Sequence, residues 1–411
     1  MKTLAKLLAL ALFLISASNA VAEVLYVDVN STNATPPYTN WPTAAREIQD
    51  AVDVALSGDE IVAANGTYSN SRIQADSAVT LDKSVSLRSV NGPQFTRIQA
   101  PESARCVTMD NGGANLSGFT LTGGYLLAGF GGGVSGGTLN NCIVTQNRTA
   151  DSGGGAALCT LNNCTLTGNS AAYGFGGGAY GCTLNNCTLT GNSTQADGGG
   201  AAYCTLNNCI VYSNTAPSGP LGSSPDFYQC AQSYCWSADP LFVNRTGGNL
   251  RLRSNSPCIN AGLNAFPPAG ADLDGNPRIV GGTVDIGAYE FQSPVSMICY
   301  AWLQEFNLAI TALTDNSDPD GDAVDNYHEW LAGTNPTNRF SSPAQLTIIP
   351  SGTNVILTWP TNAVGFTLQS TTNLVSPAVW TTNSPAPVVI CEQNVVTNPI
   401  TGAQRFYRLI H

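Results

Sequence analysis

A unit of 22 or 23 residues recurs four times between Gly131 and about Gly219, and this repeat constrains the fold more than any other feature of the sequence. The units share a core that reads TLNNCIVTQN, TLNNCTLTGN, TLNNCTLTGN and TLNNCIVYSN, and they begin at Gly131, Gly153, Gly176 and Gly198. Repeats of this length are typical of solenoids, in which each unit buries its apolar face only against its neighbours. The sequence therefore predicts a solenoid.

The spacing within one unit is that of short strands joined at corners. Cys164 and Leu166 lie two residues apart and so face the same side of a strand, whereas Leu161 and Cys164 lie three apart. The chain must turn at Asn162-Asn163 for these side chains to face inward, and asparagine tolerates the left-handed backbone of a corner. A second asparagine column predicts the next corner, with amides stacked along the axis: Asn147, Asn169, Asn192 and Asn214.

Two solenoids have a period near 22 residues, the leucine-rich repeat and the parallel β-helix. The stretch LNNCTLTGN matches the first, but a leucine-rich repeat returns through a helical segment, and here the second half of the unit contains a Gly triplet. Glycine opposes helix formation. The sequence therefore favours a right-handed parallel β-helix, whose coils lie about 4.8 Å apart.

Cysteine usage fits buried columns better than a disulfide framework. Eight of the 13 cysteines recur in phase with the repeat, as small buried hydrophobic residues do. The two columns are Cys142, Cys164, Cys187, Cys209 and Cys159, Cys182, Cys204, with Cys230 continuing the second. Bridges between adjacent coils stay geometrically open, and Cys230 with Cys235 is the first pair to suspect.

The N-terminus has the pattern of a secretory signal peptide over residues 1–22. Lys2 and Lys6 precede an apolar run from Leu7 to Ile15 and a small-residue cleavage site at Ala20-Val21-Ala22. The run is too short for a transmembrane span. We expect a secreted or cell-surface, monomeric protein. Its 27 acidic residues against 16 basic ones argue against nucleic acid as a partner.

An amphipathic segment before the repeats predicts a capping helix. Between Pro42 and Leu56, Ile48, Ala51 and Val52 recur at helical spacing, and Gly58 follows. A solenoid must cover its open end, which otherwise exposes core and unpaired strand edges. The same pattern also fits an ordinary surface helix.

Several stretches carry a family resemblance. They are VLYVDVN, IQDAVDVALSGDEIVAANGTY, the NNC coils, DPLFVNRTGGNLRLRSNSPCINAG and DLDGNPRIVGGTVDIGAYEF. Together they resemble secreted bacterial β-helix proteins of the pectin-lyase-like superfamily, of the choice-of-anchor Q type, over residues 23–292. The resemblance implies the β-helix fold and export, and it implies little about activity because one fold hosts many functions.

A calcium-binding spacing follows in the segment 293–340. In DPDGDAVDNYHE, Asp318, Asp320 and Asp322 occupy positions one, three and five of a 12-residue loop, and Glu329 occupies position twelve. The backbone carbonyl of Val324 and the side chain of Asn326 complete the predicted ligand set. Ala323 stands where such loops carry glycine. The segment is similar to the thrombospondin-type-3-like and EF-hand-like calcium linkers of exported bacterial proteins, and a solvated acidic turn is the alternative.

The last segment, 341–411, alternates short apolar strands with Pro, Asn and Gly: LTII, NVILTW, FTLQSTT, VWTT, PVVI and RFYRLI. This pattern predicts a small β-sandwich. The overall expectation is an all-β chain. It comprises a signal peptide, a β-helix with a capping helix, a short helix from Tyr300 with a calcium linker, and a β-sandwich.

Catalytic residues are scarce. Asp151 and Asp197 precede Gly triplets two coils apart, which places them roughly 10 Å from each other and makes them, with Arg148, the best acid and base candidates. Solvated turns are the simpler interpretation. The outward strand positions are Thr, Lys83 is the only lysine after the signal peptide, and His328 and His411 lie outside the β-helix.

Two function classes remain. The first is a non-catalytic scaffold that contacts an extracellular polysaccharide or another cell-surface component. The second is a polysaccharide lyase or glycoside hydrolase, which requires a groove that gathers carboxylates and arginines. The residues available for that groove are Arg88, Arg97, Arg105, Arg148, Asp110 and Asp151.

Overall fold

The computed structural model describes residues 22–69, 76–109, 113–217, 224–266, 270–341, 346–360, 366–375, 378–383, 385–390, 393–400 and 404–410. These residues form two compact units that meet in sequence at Gln292 and Ser293. The signal-peptide pattern lies outside the described residues, apart from Ala22. Within them, no helix has the length and apolarity that a membrane span requires.

The first unit is a parallel β-helix with four sheets, each built from one strand per coil. Sheet 1 has nine strands: Val24–Val27, Glu60–Ala63, Ser86–Ser89, Asn115–Ser117, Thr138–Asn140, Thr160–Asn162, Thr183–Asn185, Thr205–Asn207 and Ala231–Ser233. Sheet 2 has seven: Gly66–Tyr68, Thr96–Gln99, Thr120–Thr122, Ile143–Thr145, Thr165–Thr167, Thr188–Thr190 and Ile210–Tyr212.

Two further sheets close each coil. Sheet 3 has seven strands: Ser77–Thr80, Arg105–Met109, Val134–Gly136, Ala156–Ala157, Ala179–Tyr180, Ala201–Ala202 and Phe227–Tyr228. Sheet 4 has four: Tyr125–Leu126, Arg148–Thr149, Ser170–Ala171 and Ser193–Thr194. All pairings are parallel, and equivalent repeat residues pair directly, as Leu161 does with Leu184. The predicted β-helix is confirmed.

The predicted corners also form. Asn163 and Asn186 both have a φ of 51°, in the left-handed region. At the second corner, the buried asparagine side chains form a ladder along the axis. Asn147 Nδ2 donates to Asn169 Oδ1 at 3.1 Å, and the same bond recurs through Asn192 and Asn214 at 2.9 Å. We name this column the asparagine ladder.

The Gly triplets permit a backbone approach that no other residue allows. A Cβ on Gly177 would lie 2.2 Å from the carbonyl oxygen of Ser193 and 2.6 Å from that of Gly199. The triplets also hydrogen-bond between coils, for example Gly155 N to Gly177 O at 3.2 Å. Glycine is therefore required in the triplets because a larger side chain would collide with the neighbouring coils. Its low helix propensity, noted above, is a second and separate effect.

The cysteine columns are largely buried, and none of their members forms a disulfide within the described residues. Cys230 continues the second column, since Cys204 N lies 3.4 Å from its sulfur. Cys235 instead continues the first column next to Cys209. The suspected pair of Cys230 and Cys235 is therefore not a disulfide here, because the two residues extend different columns.

A short helix at Ile48–Val54 covers the N-terminal end of the solenoid, after a 3₁₀ turn at Trp41–Thr43. Its Ile48, Ala51 and Val52 are buried in the solenoid core, which confirms the capping helix, although it is shorter than predicted. The ammonium group of Lys83 donates to the carbonyls of Val52, Asp53 and Ala55 at 2.9–3.1 Å. These last carbonyls of a helix have no intrahelical partner, so Lys83 caps the helix.

Residues after about 239 add no further coil and return along the outside of the solenoid. This return segment contains an antiparallel hairpin, Phe242–Asn244 with Asn249–Leu252. Its backbone then hydrogen-bonds to corner and strand side chains: Asn141 Nδ2 to Asp272 O at 2.8 Å, and Ala288 N to Thr188 Oγ1 at 3.0 Å. Thr165 and Thr188 are buried. These outward strand positions are therefore covered by the return segment and do not form an open surface.

A buried charge network holds the return segment. Arg278, Asp285 and Glu290 are all at most 5 % exposed, and Arg278 donates to the carbonyls of Asp285 and Gly287. Burial raises the pKa of Asp285 to about 7, and burial together with the charge of Asp285 raises the pKa of Glu290 to about 8. Both carboxyl groups accept backbone N–H bonds, so the network is structural.

The second unit combines three short helices with two antiparallel sheets. The helices are Tyr300–Glu305, Ala312–Asp315 and Asn326–Ala332. One sheet contains Thr347–Ser351, Asn354–Pro360, Gln393–Pro399 and Val388–Ile390, and the other contains Thr381–Thr382, Thr367–Thr371 and Phe406–Ile410. Leu357, Trp359 and Val396 of the first sheet pack with Leu368 of the second. The predicted sandwich is confirmed, but the sequence pattern missed the strand Gln393–Pro399.

Candidate functional site

A cleft of about 380 Å³ lies where the return segment stands over sheet 2. Its floor is a column of threonines, one per coil, in which Thr145 pairs with Thr167 and Thr167 pairs with Thr190. Its wall carries Arg245 from the hairpin and Tyr289 from the end of the return segment. We name it the threonine cleft.

The cleft offers hydrogen-bonding groups on both sides. Thr167 Oγ1 donates to Thr145 Oγ1 at 3.0 Å, and the buried hydroxyl of Thr190 has no hydrogen-bond partner among the described residues. The guanidinium of Arg251 lies 4.9 Å from the centroid of the Tyr289 ring and pairs with Asp274, which fixes this edge of the wall.

Arg245 is the one charged residue among those lining the threonine cleft, and its side chain is exposed. Its guanidinium forms no ion pair within the described part of the chain. Hydroxyl groups, an amide and one exposed cation suit a polar, acidic polymer. They supply no pair of carboxylates for acid and base steps.

The catalytic candidates from the sequence do not share this cleft. Arg148 lines a different cavity, of about 390 Å³, together with Tyr173, and neither Asp151 nor Asp197 is among the residues that line it. Asp151 Oδ2 accepts a bond from Gly129 N at 2.5 Å. Asp197 is 8 % exposed, and its buried Oδ1 has no partner in the described chain.

The coil register explains the separation of the two carboxylates. Gly153 N bonds to Phe175 O, and Gly176 N bonds to Asp197 O, so Phe175 and Asp197 occupy equivalent positions in adjacent coils. Ser152 occupies this position in the coil of Asp151. Asp151 therefore lies one residue out of line with Asp197, and the two turn residues present their side chains differently.

The remaining arginines are also dispersed. Arg88 pairs with Glu60 at 2.6 Å on sheet 1, whereas Arg97 is exposed on sheet 2 and Arg105 lies on sheet 3. Asp110 lies outside the described residues. The structure thus does not gather these candidates into one groove.

In the second unit, the predicted calcium loop forms a compact acidic turn. One carboxylate oxygen each from Asp318, Asp320 and Asp322 lies within 4.8 Å of the others. Asp318 accepts bonds from Gly321 N at 2.8 Å and from Ala323 N at 2.9 Å. Ala323 has a φ of 73°, so alanine takes the left-handed conformation for which these loops use glycine.

Three oxygens of the predicted ligand set are buried without a hydrogen-bond partner in the described chain: Asp320 Oδ2, Asn326 Oδ1 and Glu329 Oε2. Asn326 and Glu329 are fully buried, and Asn326 Nδ2 donates to Thr314 O at 2.7 Å, which fixes its amide. Burial, followed by the charges of the three aspartates, raises the pKa of Glu329 to about 7. Such orphaned oxygens are the hard ligands that Ca²⁺ prefers.

Other groups near the loop already have structural roles. Asp325 begins the helix Asn326–Ala332, and its Oδ1 accepts from His328 N at 2.9 Å. The ring of His328 lies 2.6 Å from the same oxygen. His328 is therefore a capping partner.

Sequence reasoning missed Arg245, Thr246 and Tyr289 as site residues. They lie in or beside the stretches that carry the family resemblance, but no periodicity marks them, because the return segment does not repeat. The sequence predicted the register of the threonine column, but it did not predict that the return segment lies over this column.

No family model matches the sequence, and a search of curated proteins finds no match. Among solved structures, the chain is similar to the pectate lyase Pel9A, with a TM-score of 0.34 and 14 % identity over 66 % of this chain and 97 % of that chain. It is also similar to the pectin methylesterase PemA from Erwinia chrysanthemi, with a TM-score of 0.25 and 14 % identity over 53 % of this chain and 82 % of that chain. Because these values are low, the assignment as a parallel β-helix rests on the strand register.

Proposed function

We propose that the chain is an exported β-helix protein that binds an acidic extracellular polysaccharide in the threonine cleft without cleaving it. One observation carries this proposal: the described residues that line the cleft offer hydroxyl, amide and guanidinium groups and no carboxylate. The column places a threonine in each of three successive coils within the cleft, so it can contact successive sugars of an extended polymer.

The absence of carboxylates among these lining residues argues for binding over catalysis. Glycoside hydrolysis uses two carboxylates that flank the scissile bond. Elimination needs a base, together with groups that neutralise the substrate carboxylate. Arg245 is placed to bind a substrate carboxylate, and its guanidinium, which forms no ion pair with any described residue, supports the assignment of an acidic polymer.

Replacing Arg245 with glutamine should weaken binding of polygalacturonate about tenfold, because the substitution removes a charge-assisted hydrogen bond. Arg97→Gln is the matched control, since Arg97 is an exposed arginine on sheet 2, which forms the floor of the cleft, but does not itself line the cleft. Calorimetric titration of each variant measures the change. Equal affinities of Arg245→Gln and Arg97→Gln for polygalacturonate would contradict the assignment of the threonine cleft as the binding site.

We further propose that Ca²⁺ binds between Asp318, Asp320, Asp322, Val324, Asn326 and Glu329. The three unpartnered buried oxygens support this proposal, because a bound cation would satisfy them. The ion would also offset the mutual repulsion of four carboxylates. Its role in this proposal is structural, and it takes no part in polysaccharide binding.

Millimolar Ca²⁺ should raise the melting temperature of the second unit in the full mature chain. A concentration of 100 times the Kd corresponds to about 2.7 kcal/mol of added stability. Glu329→Gln should weaken Ca²⁺ binding at least about tenfold, whereas Glu305→Gln, which changes an exposed acid on another helix of the second unit, should have no effect. Calorimetry on chelator-treated protein is the measurement. An absence of heat at millimolar Ca²⁺ would refute the site.

A further inference from the structure

An array of five aromatic rings runs along the solenoid on the side of sheet 3. Phe130 stacks on Tyr180 with centroids 5.4 Å apart, and Phe175 stacks on Tyr228 at 5.5 Å. Tyr203 contacts three of these rings edge-on, at 5.6–5.7 Å. We name Phe130, Phe175, Tyr180, Tyr203 and Tyr228 the aromatic platform.

The platform follows from the coil register. Tyr180 and Tyr228 share one column of sheet 3 with Ala157 and Ala202, so a small residue separates successive tyrosines. The ring of Phe130 stacks on Tyr180, and the ring of Phe175 stacks on Tyr228, in each case two coils further along. The intervening column position is an alanine, which leaves room for this contact. The same stacked pair therefore recurs after two coils, and the rings form a continuous strip parallel to the axis.

Part of the strip is open to solvent. Phe130 is 45 % exposed and Tyr203 is 42 % exposed, and Leu158 beside them is 61 % exposed. Exposed, contiguous aromatic surface on a soluble protein commonly marks a binding site. The stacking already made between the rings holds them in place, so a ligand would lose little side-chain entropy by binding there.

A buried carboxylate lies at the same strip. Asp197 occupies the position equivalent to Phe175 in the next coil. Its charge is the smallest contribution to the raised pKa of the Tyr203 hydroxyl, after desolvation and the neighbouring Tyr228 and Tyr180 hydroxyls, which places its carboxylate near that ring. Asp197 Oδ1 is buried without a hydrogen-bond partner in the described chain, and the residue as a whole is 8 % exposed. A ligand hydroxyl would donate to this carboxylate at the small exposed part of the residue, because the buried Oδ1 itself is out of reach.

We propose that the aromatic platform binds the ring faces of an uncharged pyranose polymer, and that Asp197 accepts a hydrogen bond from a sugar hydroxyl. A pyranose has an apolar ring face and a polar rim, which matches flat aromatic rings beside a carboxylate. A polymer laid along the axis meets a new coil about every 4.8 Å, a step comparable to the length of one sugar.

Charge selects a neutral polymer over an acidic one. The platform contains no arginine or lysine, and the titratable residue beside it, Asp197, is an acid. An acidic sugar placed here would be repelled, because no cation offsets its carboxylate. The proposal extends the glycan binding suggested for the threonine cleft, but it concerns a different sheet and a ligand of different charge.

Binding of soluble xyloglucan, glucomannan and laminarin to the full mature chain tests the proposal by affinity electrophoresis and calorimetry. At least one neutral glycan should bind, and Tyr203→Ala should weaken that binding about tenfold. Asp197→Asn should weaken it less, because the amide oxygen still accepts a hydrogen bond. Tyr173→Ala is the matched control, since Tyr173 is 82 % exposed but makes no contact with the platform rings.

The outcomes separate this proposal from that for the threonine cleft. Polygalacturonate binding should be unchanged in Tyr203→Ala and reduced in Arg245→Gln, and neutral-glycan binding should show the reverse. Neutral-glycan binding that survives both Tyr203→Ala and Phe130→Ala would overturn the platform, as would no binding of any neutral glycan by folded protein. A dimer in light scattering that Tyr203→Ala dissociates would also overturn it, by showing that a second copy covers the rings.

Discussion

Replacing Asn192 with alanine is expected to lower the free energy of unfolding of the solenoid by about 4 kcal/mol. The side chain of Asn192 donates to Asn214 Oδ1 and to Leu166 O, both at 2.9 Å. Its own Oδ1 accepts from Asn169 N at 3.0 Å and from Asn169 Nδ2 at 2.9 Å. Truncation leaves the fully buried Asn169 N–H without a partner and opens a small cavity.

A second column of asparagines supplies the control for this prediction. Asn185 Nδ2 donates to Asn162 Oδ1 at 2.9 Å, but this column is half-buried, so water can replace the lost bonds. Asn185→Ala should therefore cost only about 1 kcal/mol. Equilibrium denaturation in urea, followed by circular dichroism, compares the two variants. Equal costs would show that burial of the asparagine ladder is not what stabilises the coils.

Gly177→Ala should be similarly damaging, at about 3 kcal/mol or more, because backbone atoms surround the missing side chain. The new Cβ would meet Ser193 O at 2.2 Å and Gly199 O at 2.6 Å. Neither carbonyl can move without breaking hydrogen bonds between coils. The variant should therefore unfold at much lower denaturant concentration, or fail to fold.

Gly92→Ala separates crowding from backbone strain. Gly92 has a φ of 88°, and a Cβ there meets nothing within 4 Å. Only the strain of the left-handed conformation remains, which costs roughly 1–2 kcal/mol. A Gly177→Ala variant that is no less stable than Gly92→Ala would mean that the triplets are not closely packed.

The sequence predicted the coils because their contacts repeat at a fixed interval. Leu161 pairs with Leu184, and Asn169 bonds to Asn192, each exactly one unit away. Any residue that is inward-facing in one coil is inward-facing in the next. The corner at Asn163 could be located from a change of spacing within a single unit.

The cover of sheet 2 could not be predicted in the same way. Asn141 bonds to Asp272 across 131 residues, and Thr188 bonds to Ala288 across 100. No local pattern records such partners, so the threonine face looked open. For the same reason the sequence could not reveal the wall of the cleft at Arg245 and Tyr289.

Local spacing was informative again at the acidic loop, where the predicted ligands lie within twelve residues. The clustering of Asp318, Asp320 and Asp322 was predictable, whereas the burial of Asn326 and Glu329 depends on the helix that follows.

The relative placement of the candidates Asp151 and Asp197 depended on the register of the turns that carry them. A difference of one residue was visible in the sequence, but its effect on side-chain direction was not. The strand Gln393–Pro399 was missed because Asn, Thr and Pro interrupt its apolar residues.

The central claim, polysaccharide binding without cleavage, is tested most directly by incubating the protein from residue 23 onward with polygalacturonate, with and without Ca²⁺. Binding is recorded by calorimetry, and cleavage by the absorbance of unsaturated products and by new reducing ends. We predict saturable binding that depends on Arg245 and no product with time. Product that accumulates with wild-type protein and is lost in Arg245→Gln, Asp151→Asn or Asp197→Asn would contradict the account and identify the chain as an enzyme.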